Sequence, residues 1–173
     1  GFDEEVADAE QAYVQAPLGP DTVPVWAALP RDRWEPEWHD MINRGEMAKP
    51  VVLLRKALYG HPNAGAYWES ECSQRVQRLG FRPVPNWPSV FWHPCRRLLL
   101  IIYVDDFKLA GRRAEHSRTW TDIQSVIDTT KPSPVGHFLG CNQVQGTITH
   151  ADGTLVRIMT YDMSEFLSSC VQS

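Results

Sequence analysis

The chain has 173 residues, 43% hydrophobic and 22% charged, which is enough apolar material for a folded core and too much for a disordered chain. Its net charge of −4 excludes a uniformly basic surface, yet the charge is uneven: residues 1–10 hold five acids and no base, whereas residues 49–113 hold 11 bases against four acids. That basic segment either faces a polyanion or consists of scattered solvated charges. Cys72, Cys95, Cys141 and Cys170 form no CxxC pair and the six histidines have no zinc-like spacing, so a zinc site is excluded and the thiols are expected to be reduced. No apolar run is long enough to cross a bilayer, and an intracellular protein without a membrane partner is expected, cytoplasmic and particle-associated or nuclear.

In chain order, residues 6–9 read as a short strand that hands over to a helical turn, stopped by Pro17 and Gly19-Pro20. An Asp such as Asp8 at a strand end projects into whatever cleft lies there, or serves a turn or helix cap. Residues 22–29 form an apolar run that Pro24 demotes to an edge strand, and residues 30–47 a short helix within an irregular connection. Residues 50–54 are of strand type. From Pro62 to Leu79, Ala64, Tyr67 or Trp68, Cys72, Val76 and Leu79 recur at three and four, the period of an amphipathic helix closed by Gly80. On its opposite face Arg75 and Arg78 are either solvated or in contact with a phosphate backbone. Residues 81–86 are a turn-rich link and residues 89–92 a strand.

The stretch 98–111, LLLIIYVDDFKLAG, reads as strand, tight turn, strand, with Asp105 and Asp106 at the tip and no base between them. Two like charges so close repel unless a cation binds, which makes a magnesium site the first functional expectation. Residues 115–129 follow as a second amphipathic helix, which Pro132 and Pro134 prevent from continuing. Residues 137–144 and 154–160 read as strands around a loop punctuated by Gly146 and Asp152-Gly153, and residues 163–171 as a terminal helix. Strands alternating with a few helices, and at least one hairpin, predict a single α+β domain over residues 1–173: an antiparallel sheet with helices packed on one face.

Four blocks then occur in an order that resembles the reverse transcriptases of copia-type long-terminal-repeat retrotransposons. Asp8-Ala9-Glu10-Gln11-Ala12-Tyr13 looks like the first catalytic motif of that family, an Asp followed five positions later by an aromatic residue. Lys56-Ala57-Leu58-Tyr59-Gly60, continuing through Asn63, Ala64 and Trp68, is similar to its KxLYGLKQAPRxW block. Gly80-Phe81 through Pro88-Ser89-Val90-Phe91 resembles its GF…DPSLF stretch, and Tyr103-Val104-Asp105-Asp106 its YVDD box, with Phe138-Leu139-Gly140 like the downstream FLG strand. The resemblance runs from about Val6 to about Val144. Within it, His61-Pro62-Asn63-Ala64-Gly65-Ala66 stands where the family has LKQAPR, and Trp87-Pro88-Ser89 where it has DPS.

The resemblance implies a polymerase palm-like sheet and RNA-directed DNA polymerisation, with Asp8, Asp105 and Asp106 as catalytic residues holding two Mg2+ ions, or Mn2+ in their place, Asp8 and Asp105 as the principal metal ligands and Asp106 as the supporting acid. It implies that Tyr13, with Ala12 beside it, underlies the incoming dNTP sugar, that Tyr59 and Gly60 shape the nucleotide floor, and that Lys131 approaches the triphosphate. Tyr103, Val104, Arg75 and Arg78 fall to the RNA template and DNA primer. It further implies a palm with partial fingers, residues 145–173 beginning a thumb-like or connection-like tail. Upstream fingers and an RNase H segment, absent here, would belong to a larger Pol polyprotein. The alternative expectation is a truncated or diverged, catalytically inactive remnant that at most binds nucleic acid.

Overall fold

Residues 1–20 and 22–172 are described by a computed structural model. Its strands and helices are, in chain order, β1 (Phe2–Asp8), β2 (Trp26–Ala28), α1 (Pro36–Asn43), β3 (Val51–Leu53), α2 (Ala64–Arg78), β4 (Arg82–Val84), β5 (Trp87–His93), β6 (Leu98–Tyr103), β7 (Asp106–Arg112), α3 (His116–Gln124), β8 (Ser133–Pro134), β9 (His137–Phe138), β10 (Cys141–Thr149), β11 (Leu155–Asp162) and α4 (Ser164–Gln172). The chain is α+β, and all of its strand pairs are antiparallel. No described helix is long and apolar enough to cross a membrane.

The chain groups into two compact units, residues 1–12 with 72–173, and residues 13–71, at boundaries that no linker composition marks. In the smaller unit β2 pairs with β3, and Ala57 N–H donates to Ala16 O at 2.9 Å. The larger unit holds a six-stranded sheet in the order β4-β5-β6-β7-β1-β8 and a three-stranded sheet in the order β11-β10-β9.

Alternation along β6 and β7 sorts the six-stranded sheet into two faces. Leu98, Leu100 and Ile102 on β6 are buried, and their partners across the ladder are Gly111, Leu109 and Phe107. Ala7 of β1 and Phe91 of β5 extend this face on either side. Helix α3 is fastened to it through Glu5 of β1, whose Oε2 accepts a hydrogen bond from Trp120 Nε1 at 2.8 Å and lies 3.2 Å from Nδ1 of the buried His116. The other face carries three cross-strand rows: Asp8, Asp106 and Tyr103; Val6, Lys108, Ile101 and Val90; Glu4, Ala110, Leu99 and Trp92.

Lys108, an unexpected charge within an apolar strand, is 7% exposed. Its Nζ lies 2.7 Å from Glu4 Oε2 and donates to Gln143 Oε1 of β10 at 2.6 Å, with the rings of Phe138 and Tyr161 within 6.0 Å. A buried ammonium needs such partners. These contacts tether β9, β10 and β11 to the second face, while α3 is fastened to the first and α4 lies against the three-stranded sheet, with Phe166 beside Gly140 and Glu165 accepting from Asn142 Nδ2 at 3.2 Å.

Several boundaries differ from expectation. Strand β1 starts at Phe2, because its acids find partners on both faces. Residues 81–86 contain β4, an edge strand with an irregularity at Pro83/Val84 that accommodates its proline. Helix α3 ends at Gln124 rather than continuing to Thr129, since the chain is drawn back to the end of β1, where Thr130 N–H donates to Asp8 O at 2.8 Å. The strand expected over residues 137–144 is split by a turn at Leu139 (φ 51°) and Gly140 (φ 76°), while β10 runs straight through Gly146.

Gly111 has φ +143°, and a Cβ there would meet Arg97 O at 2.6 Å and Leu98 Cδ2 at 2.8 Å. Gly111→Ala is expected to cost about 1–3 kcal/mol through strain and overpacking, read as a lower denaturant midpoint with an unchanged slope.

Candidate functional site

The ladder between β1 and β7 places Asp8 directly opposite Asp106, so the two carboxyls share one face at the end of the sheet. Tyr103, the partner of Asp106 across the next ladder, completes the row and is 60% exposed. Because Tyr103 pairs with Asp106, the hairpin loop is Val104-Asp105 alone: Asp105 lies in the turn and Asp106 already begins β7. A two-residue loop requires a primed turn, and positive φ at its first position alone is the glycine-favouring pattern. Here that position is Val104, at φ +56°. A β-branched residue in this region stores on the order of 1 kcal/mol or more.

Three hydrogen bonds hold the end of β1, one to this turn and two to the segment that follows α3. Ala9 N–H donates to Asp105 O at 2.7 Å, Asp8 N–H donates to Thr130 Oγ1 at 2.9 Å, and Glu10 N–H donates to Asp128 O at 2.9 Å. Lys131 is therefore one residue from the group that clamps Asp8, and it is exposed.

The electrostatics are those of crowded acids. Burial pushes the Asp106 carboxyl above its ordinary value, and the negative charges of Asp105 and Asp8, with a hydrogen bond to the Asp8 side chain, push it further; His137 opposes the shift. Asp8 and Asp106 thus come together, while Asp105 acts on Asp106 through its charge. Among the described residues, no three His, Cys, Asp or Glu side chains are gathered so that they could hold a metal ion. The donor type nevertheless suits a hard divalent cation, since magnesium accepts one or two carboxylates and keeps waters for its other positions.

The remaining expected site residues fall as follows. In the smaller unit the rings of Tyr13 and Tyr59 pack with centroids 4.6 Å apart, Tyr59 is exposed, and Gly60 has φ +90°. In the larger unit Ala12 is buried, Arg78 is exposed, and Arg75 Nη1 donates to Val126 O at 2.9 Å, just beyond α3. Thr130 and His137 were not singled out from the sequence. Thr130 carried no signal beyond a polar loop residue. His137 sits immediately before the FLG-like triplet, which was the one available pointer.

Asp106→Asn is expected to raise the thermal midpoint at neutral pH. A carboxyl whose proton affinity is raised by folding destabilises the folded state when ionised, and that penalty is fully present above its folded pKa. The gain should shrink as pH falls through the folded value towards the ordinary 3.8, and unfolding scans at stepped pH would read it. A midpoint lowered at neutral pH would contradict this assignment of the charges.

Compared with family models, curated proteins and solved structures, the chain matches none.

Proposed function

We propose that this chain is the palm, with partial fingers, of an RNA-directed DNA polymerase of the copia retrotransposon type, and that it extends a DNA primer on an RNA template. The observation that carries this reading is the cross-strand apposition of Asp8 and Asp106, with Asp105 in the adjoining turn. The pairing brings together acids from two blocks almost a hundred residues apart in sequence; of these the resemblance makes Asp8 a principal metal ligand and Asp106 the supporting acid, while Asp105, the other principal ligand, lies in the adjoining turn. A second, distant Asp in register with the short box supports this reading more than the box alone would.

In this reading Asp8, Asp105 and Asp106 hold the divalent cations, magnesium or manganese. When bound, these activate the primer 3′-hydroxyl and stabilise the pyrophosphate leaving group of the dNTP. The chain's own contribution is positional. Thr130 and the Asp105 carbonyl fix the end of β1, the strained Val104 turn presents Asp105, and the exposed Tyr103 lies in the same row for a nucleic-acid strand to contact. Lys131, next to Thr130, supplies a cation for the triphosphate. Within the larger unit Ala12 is assigned to the nucleotide and Arg78 to the backbone. Arg75 serves the α3 end as well as any phosphate.

A second reading, a diverged remnant that binds nucleic acid without catalysis, is favoured by the absence of a ready three-ligand cluster among the described residues and by the substituted LKQAPR block.

Magnesium-dependent extension of a DNA primer on an RNA template is expected from the wild-type chain and is expected to vanish in Asp105→Asn. Magnesium should also raise the thermal midpoint of the wild type and not of Asp8→Ala. A folded chain that gives no extension would transfer the assignment to the remnant. Its primer-template affinity should then fall steeply with salt through counterion release.

A further inference from the structure

The second face of the six-stranded sheet continues away from the carboxylate row. Four residues along β7 from Asp106, a distance of about 14 Å at strand rise, the row of Glu4, Ala110 and Trp92 forms the floor of a cleft of about 690 Å³. Ile158 and Met159 of β11 form its opposite wall, and Phe2 closes one end. This volume is within the roughly 300–1,000 Å³ of small-molecule sites. The walls are held in place by polar ties: Arg157 donates to Phe2 O and to Gln145 Oε1, and Gln145 donates to Asp3 Oδ1 at 3.3 Å.

The charges around this cleft are unequally satisfied. Asp3 lies 3.6 Å from the Arg113 guanidinium and accepts the Gln145 bond, while Glu4 is paired with Lys108. Arg157 is committed to the two acceptors just named. Arg97, in the turn that enters β6, also lines the cleft, and among the described residues its guanidinium has no acid and no acceptor. Its backbone is held rigidly, with φ +56°, its N–H donating to His93 O at 2.8 Å, and its carbonyl against Gly111. A largely apolar cleft with an indole on its floor, and with Arg97, whose guanidinium is unpaired among the described residues, in its lining, selects a flat apolar body with a single negative charge.

We propose that this cleft is a binding site for aromatic carboxylates, with the ring system against Trp92, Ala110 and Met159 and the carboxylate on Arg97. Nothing in it depends on the polymerase reading, since none of the three aspartates lines it.

Sodium 2-naphthoate and its neutral isostere 2-naphthamide, titrated calorimetrically into the whole chain, test it. The expected result is saturable one-to-one binding of naphthoate to the wild type, weakened about tenfold or more in Arg97→Glu. Binding of naphthamide should be weaker in the wild type and indifferent to Arg97→Glu. Ala110→Phe, which fills the floor, should reduce binding of both compounds, with circular dichroism confirming its fold; Trp92→Ala, which removes the indole from the floor, replaces it if that variant does not fold. No saturable naphthoate binding would overturn the proposal. So would equal affinity for the two compounds, or binding that Arg97→Glu or a folded cleft variant leaves unchanged.

Discussion

The register of β1 against β7 is the constraint on which the larger unit depends. Seven pairs, from Phe2↔Arg112 to Asp8↔Asp106, join the first strand to one a hundred residues away. A slip of one residue would exchange its faces, turning Glu5 away from α3 and Asp8 away from Asp106. The acids of β1 specify the register as firmly as its apolar residues do. Asp3 meets Arg113 and Gln145, Glu4 meets Lys108, and Glu5 meets Trp120 and His116. What composition presents as a block of N-terminal charge is a set of specific pairings distributed over two faces. Asp8 differs from the other three in that its side chain meets another acid.

This explains which parts of the fold were legible in the sequence. The hairpin of β6 and β7 follows from two apolar runs, the second broken only by Lys108, and the amphipathic α2 from an apolar period of three and four. Strand β1 was recognised only from Val6, because Asp3, Glu4 and Glu5 obscure its alternation until their partners are known. Those partners, Lys108 and Trp120 among them, lie more than a hundred residues away. The prolines at 83 and 85 hid β4, an edge strand where proline is tolerated. Thr129 fitted the end of a helix by pattern, yet tertiary pairing wins: Thr129 bridges to Ala9, and the next residue, Thr130, bonds to Asp8. Of the candidate site, the three aspartates were legible through spacing and family resemblance. Thr130 and His137 were not, because each acts through a neighbour that only the fold supplies.

Lys108 shows how the same ladder serves both packing and site. A charged residue two positions after Asp106 is costly to bury, and removing one partner of a buried pair costs more than the pair itself contributes. Here the ammonium joins β7 to β1 through Glu4 and to β10 through Gln143. A hydrophobic residue at position 108 would fill the space but would leave Glu4 without its cation and β10 without its tie. The charge therefore specifies where the second sheet sits, beside the carboxylate row and over the far half of the same face.

At the row itself the local energetics run the other way. Val104 holds a backbone conformation that glycine would adopt without strain, and Asp106 is kept near two other carboxylates in a partly buried position. Neither arrangement stabilises the chain, and both are maintained by bonds that converge from Ala9, Thr130 and the β1–β7 ladder. Strain and like-charge crowding at one sheet end, enforced by a well-satisfied scaffold, are the conditions under which a bound cation would recover most free energy. Asparagine in place of Asp106 would remove this crowding. The proposed site rests on this geometry: two carboxyls in register at one sheet end, with the β1 backbone clamped beside them.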